Sequence, residues 1–240
     1  MNAGAYNGRL AIPDGAPLRV VGDVHGDARG FAAAAAGASE RFLVQLGDLT
    51  DGGPHNAEAL RIMFRLIDAG RGLFLLGNHE LKLARALAGR GVRVDAGLAG
   101  TLAELDAALR LRAANEIARA PAWLRRGHAV FVHGGFHTGM LEGAPPPVPV
   151  PQARVEGILA RALYGETTGR VQPDGYPERS LRWVDRVPPG YTVYCGHARR
   201  SGDGRPYVHH GAAGGTAVFL DTGAGKGGHL SWIDLPPEGG

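Results

Sequence analysis

The sequence predicts an α/β fold, and three observations carry that reading. Short β-branched or Leu/Phe-rich runs recur along the 240 residues, each followed within a residue or two by glycine. That is the pattern of strands buried on both faces. Segments of helical periodicity separate the early runs, so those strands pair in parallel beneath covering helices. In the second half, strands follow one another with less helix between them, as in a mixed or antiparallel sheet. Hydrophobic residues make up 44% and charged residues 20%, ordinary values for a globular chain. A chain of this length builds one sizeable core. A single domain over residues 1–240 is expected, with its core at about 18–235.

Taken in order, Leu18–Val21 is the first strand and Ala28–Ala36 an alanine-rich helix. Phe42–Leu46 is the second strand. Asn56–Ala69 sets Leu60, Phe64 and Ile67 on one face, and Pro54 and Asn56 suit a helix start. Leu73–Leu76 is the third strand. Glu80–Ala88 repeats Leu83 and Leu87 at helical spacing and closes on Gly89. Leu98–Arg110 and Ala113–Leu124 read as further helices. Val130–Val132, Thr192–Tyr194 and Val218–Leu220 complete the strands. Gly139–Pro151 carries prolines at 145, 146, 147, 149 and 151 and must be an extended loop. The glycine-rich Gly202–Gly215 reads as a surface excursion.

Composition excludes several classes of function. The chain has 26 basic and 23 acidic residues, a net charge of +3, and no block of five like charges. It therefore carries no strong nucleic-acid signal. Only Lys82 and Lys226 are lysine. Cys195 stands alone, so neither an intrachain disulfide nor a thiolate cluster can form. The longest apolar run, Phe31–Ala36, falls far short of the ~18 residues a membrane span needs. Met1–Leu18 has no apolar core of a signal peptide. A cytoplasmic protein is expected.

The chemistry gathers where the strands end. The successive strand ends deliver Gly22-Asp23-Val24-His25-Gly26, then Gly47-Asp48-Leu49-Thr50-Asp51-Gly52-Gly53, then Gly77-Asn78-His79-Glu80. The later ends deliver His133-Gly134-Gly135, Gly196-His197 and Asp221-Thr222-Gly223. In open α/β sheets ligands bind outside the carboxyl ends of the strands, so these groups can share one rim. The donors are carboxylate, imidazole and amide oxygen without sulfur. That set suits Mn²⁺, with Fe or Zn²⁺ as alternatives. Two such ions ~3.5–4 Å apart promote in-line displacement at phosphorus. Of the 39 glycines, 10 lie inside these turns, where sharp bends and close approach are required.

In this order the motifs GDVHG, GDLTDGG, GNHE, HGG and GH resemble the calcineurin-like metallophosphoesterase superfamily, in its phosphoprotein-phosphatase branch. GDLTDGGPHN at Gly47–Asn56, LYGETTG at Leu163–Gly169 and the segment Asp221–Gly228 are similar to bacterial PrpE-type phosphatases and bis(5′-nucleosyl)-tetraphosphatases. They are also similar to the phosphatase domain of bacterial polynucleotide kinase-phosphatase. The resemblance implies a four-layer α/β/β/α sandwich and two divalent metal ions. It implies Asp23 and His25 on the first metal, Asp48 bridging, and Asn78, His133 and His197 on the second. It further implies His79 as the acid that protonates the leaving oxygen, Asp51 orienting its ring, and Asp221 supporting the site, for example by orienting a ligand histidine. The leading expectation is a phosphomonoesterase or serine/threonine-type protein phosphatase acting on a phosphorylated protein or nucleotide. A dinucleoside polyphosphate hydrolase, a nucleic-acid-end phosphatase and a non-catalytic phosphate-binding module are the rivals.

The chain departs from the family pattern at Gly52, where most members carry an arginine that clamps substrate phosphate. Arg199 or Arg200, just past His197, is the expected replacement. The loop Gly223–Gly228 lacks Walker A spacing. Cys195 reads as a buried strand residue, because Arg200 stands one position too early for a cysteine phosphatase. His55, His128, His137, His209, His210 and His229 read as packed or surface histidines.

Overall fold

The computed structural model describes residues 12–173 and 175–237. Two sheets pack face to face. The first has the order β11-β1-β2-β3. It comprises β1 (Leu18–Val21), β2 (Phe42–Gln45), β3 (Gly72–Phe74) and β11 (Trp232–Leu235). Its first three strands run parallel and β11 closes one edge antiparallel. The second sheet has the order β4-β5-β8-β10-β9. It comprises β4 (Trp123–Arg126), β5 (Ala129–Val132), β8 (Thr192–Cys195), β9 (Tyr207–His210) and β10 (Thr216–Phe219). There β5, β8 and β10 are parallel, and β4 and β9 are antiparallel edges. The mixed second half agrees with the sequence pattern. β6 (Glu166–Val171) and β7 (Pro177–Ser180) form a separate exposed hairpin.

Alternation along the strands builds the layers. Leu18, Val20, Val44 and Leu73 of the first sheet meet Phe131, Tyr194 and Val218 of the second in a dry core between the sheets. Neighbouring positions such as Val21, Leu43 and Phe74 face the outer helices. α1 (Ala28–Ala36) docks on β1, where Arg19 Nη1 donates to the Ala34 carbonyl at 2.8 Å. α2 (Asn56–Asp68) buries Leu60, Met63 and Phe64. α3 (Asn78–Leu87), α4 (Ala96–Glu104) and α5 (Ala107–Arg119) follow on the same side of the chain order. The outer face of the second sheet carries a thinner cover, in which Trp183 packs 5.7 Å from Phe219. α6 (Gly157–Tyr164) contributes Ala162 and Leu163 there. The arrangement is the α/β/β/α sandwich.

Three expectations need correction. The helix expected over Leu98–Arg110 is two helices, because the backbone turns extended at Leu105. Asp106 then caps α5, its carboxylate accepting from Leu109 N at 2.8 Å. The helix expected over Ala113–Leu124 stops at Arg119. Pro121 cannot donate to a helical ladder, and Trp123–Arg126 pairs with β5 instead. Gly202–Gly215 is not wholly a surface excursion, since Tyr207–His210 forms the edge strand β9. The proline-rich loop starts as a 3₁₀ turn at Thr138–Leu141 and packs Val148 and Val150 against the core.

Candidate metal centre

The turns that follow β1, β2 and β8 each hold a non-glycine residue in the left-handed region. Among the described residues, the non-glycine positions with positive φ are His25 (45°), Asp48 (60°), Asp51 (70°) and His197 (61°). Such conformations cost about 1–3 kcal/mol each and persist only where the surroundings over-determine them. All four belong to the predicted site.

Asp48 lies at its centre. Its Oδ2 is 3.3 Å from His133 Nε2 and 3.8 Å from Nε2 of both His25 and His79. Two groups able to hold a metal share it: His25, Asp48 and His79 on one side, and Asp48, His133 and His197 on the other. Asp23 Oδ2 is 3.7 Å from His25 Nε2. Both Asp23 oxygens accept from His197 N, at 3.0 and 3.1 Å. That approach requires Gly196, since a Cβ there would collide with Asp23 Oδ1. Asn78 Oδ1 is 3.0 Å from His133 Nε2. The structure thus brings Asp23, His25, Asp48, Asn78, His79, His133 and His197 together.

Surrounding groups orient these donors. His25 Nδ1 meets the Thr50 carbonyl and His133 Nδ1 the Leu46 carbonyl, both at 2.9 Å. A carbonyl only accepts, so each Nδ1 carries a proton and each Nε2 faces the centre. The α3 N-terminus also points here, and His79 N donates to Asp48 Oδ1 at 3.0 Å. His79 Nδ1 lies 2.9 Å from Asp51 Oδ2, which leaves Nε2 toward Asp48. Asp51 in turn accepts from Lys82 Nζ at 3.1 Å and Thr101 Oγ1 at 2.6 Å, and it does not cap α2.

Charge is unevenly held. Burial opposes ionisation of Asp48, but His133 and His79 hold it well below the usual carboxylate range. Burial likewise opposes a charged His133, yet the Asp48 carboxylate raises it to about 10. Burial lowers His25 to about 4. Burial and the neighbouring His133 keep His197 well below its ordinary value, so it is neutral. Burial and Asp221 push Asp23 up. The centre therefore combines two neutral imidazoles, His25 and His197, with a charged His133 and buried acids that repel one another. His197 Nε2 is buried without a hydrogen-bond partner among the described residues. These are features that a divalent cation would satisfy, and the donor set fits one.

Glu80, in the Gly-Asn-His-Glu motif, was assigned no role from sequence. It is buried, and its two oxygens accept from Asp48 N (2.7 Å), Leu49 N (2.8 Å) and Gly77 N (3.0 Å). It ties two ligand-bearing turns to each other. Burial and the nearby Asp48 raise it to about 7. Gln45 braces the first two turns in the same way, donating to the Gly22 and Gly47 carbonyls. A buried polar residue within a strand was the available signal.

Among the described residues Asp221 makes no hydrogen bond to a ligand histidine, and backbone carbonyls hold His25 and His133. It accepts from Gly223 N at 2.9 Å and so fixes the loop that follows. The expected arginines follow His197 in the chain. Arg199 is exposed, with Nε to the Ser201 carbonyl at 3.3 Å and its guanidinium against Gly223. Arg200 donates to the Arg179 carbonyl at 3.4 Å. Arg179, which sequence did not single out, is half-buried beside His197, Arg200 and Tyr164. Among the described residues neither Arg179 nor Arg200 pairs with a carboxylate. On the opposite flank, Lys226 Nζ is 2.9 Å from His25 Nε2. A cavity of about 520 Å³ adjoins that flank, lined by Arg29, Pro54, His55, Gly225, His229 and Trp232.

Known proteins resemble this chain in sequence and in fold. A bis(5′-nucleosyl)-tetraphosphatase PrpE of Halalkalibacterium halodurans is 31% identical over 205 residues, covering 82% of this chain and 76% of the relative. The protein of the same name from Geobacillus thermodenitrificans is 29% identical over 243 residues, covering 91% and 90%. Among solved structures, a serine/threonine phosphatase of Saccharomyces cerevisiae superposes with a TM-score of 0.61 at 14% identity, covering 92% of this chain and 80% of that one. A cold-active protein-tyrosine phosphatase of a Shewanella species gives 0.60 at 16% identity, covering 95% and 76%. At those identities the structures share the fold. No helix among the described residues is long and apolar enough to cross a membrane. Residues 16–198 match the calcineurin-like phosphoesterase family model, and the chain is a metal-dependent hydrolase of that family.

Proposed function

We propose that this chain hydrolyses a phosphoric anhydride of a dinucleoside polyphosphate. Asp23, His25 and Asp48 would hold one divalent ion, and Asp48, Asn78, His133 and His197 a second, with Mn²⁺ the preferred metal. The sharing of Asp48 between two ligand groups carries the two-metal reading. Bound metals would supply Lewis acidity and a water activated at neutral pH. The chain's own residues supply the rest. Asp51 holds the His79 ring by Nδ1, so that Nε2 is presented toward the reacting phosphorus and can deliver a proton to the leaving oxygen. Arg200 and Arg179 place positive charge on the His197 side for phosphate oxygens.

The sequence reading put a phosphomonoesterase or protein phosphatase first. Two observations favour the dinucleotide reading. The curated relatives carry that name. The cavity beside His25 is also large enough for a nucleoside, and Trp232, His55 and His229 give it flat walls. The monoester reading stays as the second, because nothing in the metal centre itself requires an anhydride.

The test is a substrate panel on metal-depleted protein reloaded with Mn²⁺, Fe²⁺ or Zn²⁺. Diadenosine tetraphosphate, p-nitrophenyl phosphate, a phosphopeptide and a 3′-phosphorylated oligonucleotide are compared by kcat/KM, with Asn78→Ala as control. Preference for the dinucleotide, with unequal mononucleotide products, is expected. Preference for the phosphopeptide overturns the substrate assignment. No metal-dependent turnover on any member leaves only a phosphate-binding module.

A further inference from the structure

We infer that Lys226 is the side chain that grips substrate phosphate on the His25 flank, supplying the charge that glycine at position 52 does not. The inference rests on the phosphoesterase reading above. Arg200 lies beside Arg179 on the His197 side, and Arg199 rests its guanidinium against Gly223, at the start of the loop that carries Lys226.

The first observation is position. Lys226 Nζ sits 2.9 Å from His25 Nε2, the nitrogen that faces the metal centre, although 201 residues separate the two in sequence. Its charge acts on His25, His79 and Asp221 alike. The second observation is the lack of a carboxylate partner. The only other lysine, Lys82, is saturated by Asp51 at 3.1 Å and Asp95 at 2.7 Å. Among the described residues Lys226 forms no ion pair. Lys226 is an exposed residue, and its contact with His25 is only part-buried, so an anion can reach the ammonium.

The third observation is the loop that presents it. Gly223, Gly225 and Gly227 all have positive φ (83°, 67° and 83°), and Gly228 N closes the loop on the Gly223 carbonyl at 2.8 Å. Asp221 anchors its start. Gly225 lies directly against the His25 carbonyl, where a Cβ would collide. A Cβ at Gly52 would meet His25 Cβ at 2.9 Å and the Gly225 carbonyl at 3.5 Å. A long side chain at 52 and this loop therefore contend for one space. Glycine at 52 lets the loop close on His25, and closure is what delivers Lys226. The two positions act as one exchange, in which the cation arrives from the C-terminal loop.

A lysine suits the task. Its flexible four-carbon stem carries a compact charge with three donors. It can release the His25 nitrogen and still reach a phosphate oxygen on the same rim.

Lys226→Gln and Lys226→Arg in the full chain test the inference. Titration calorimetry reads inorganic phosphate binding to the Mn²⁺-loaded protein, elemental analysis reads bound metal, and kinetics separate KM from kcat. Loss of a charged hydrogen bond predicts about 10- to 150-fold weaker phosphate binding in Lys226→Gln. A parallel rise in KM, unchanged metal content and recovery in Lys226→Arg are expected. Unchanged phosphate affinity overturns the inference. So does tighter Mn²⁺ binding with no change in phosphate binding, which would make Lys226 only a competitor for His25. The two readings fail separately. Wild-type protein that binds phosphate without turnover defeats the proposed function, whereas wild-type turnover with an indifferent Lys226→Gln defeats only this inference.

Discussion

Asp51→Asn isolates the acid function of His79. Asp51 sits at φ 70°, a conformation asparagine adopts with little penalty, so the turn survives. Thr101 can still donate to the remaining side-chain oxygen, and Lys82 keeps Asp95 at 2.7 Å. What is lost is the charge of the 2.9 Å contact to His79 Nδ1. A hydrogen bond to a charged group is worth about 1.5–3 kcal/mol, or about 10- to 150-fold at 1.36 kcal/mol per decade. Burial opposes a charged His79, while Asp48 and Asp51 raise it above the ordinary histidine value. Removing Asp51 must therefore bring it down, and activity that needs protonated His79 must decline at a lower pH than in the wild type. The assay compares kcat/KM across pH for a phosphate ester with a poor alkyl leaving group and for p-nitrophenyl phosphate, whose leaving group needs no proton. The alkyl ester should lose the full factor and the nitrophenyl ester little. Equal losses on both, or an unshifted alkaline limb, would refute the reasoning.

Further outcomes follow from the same geometry. Glu80→Gln turns an amide NH₂ toward N–H donors now accepted by Glu80. It should cost about 1–3 kcal/mol, seen as a lower melting temperature and weaker Mn²⁺ retention in calorimetry and metal analysis. His133, raised to about 10 in the metal-free protein, holds a proton at neutral pH. Metal binding must displace that proton, so Mn²⁺ affinity should fall as pH falls. Calorimetry in buffers of different ionisation enthalpy should report proton release. Phe131→Ala opens the core between the sheets, where Phe131 is fully buried and stacks 5.5 Å from Tyr194. A loss of about 3–5 kcal/mol should lower the melting temperature by roughly 6–20 °C for a chain of this size.

The fold was legible wherever a local pattern had one structural outcome. The runs at Leu18, Phe42 and Leu73 are mostly apolar and buried along their whole length, β1 and β2 centrally and β3 at an edge that helices cover. Trp123–Arg126 failed that test because an edge strand is only half buried, and its polar positions continued a helical rhythm from Ala113. Tyr207–His210 was hidden for the same reason, being largely exposed on the sheet edge. The break at Leu105 escaped notice because apolar spacing runs through it, although Asp106 was a usable cap signal.

The sequence by itself pointed to the candidate donors, because each lies within four residues of a strand end in a short contiguous motif. It determined equally that the donors are oxygen and nitrogen. Only the tertiary structure decided which of them share Asp48, that Glu80 stitches two turns together, and that Arg179 joins Arg200 beside His197. Only the tertiary structure, too, brought Lys226 to His25. Periodicity and turn chemistry act over a few residues, whereas contacts across 31 or 201 positions exist only once two sheets have packed and their loops meet on one rim.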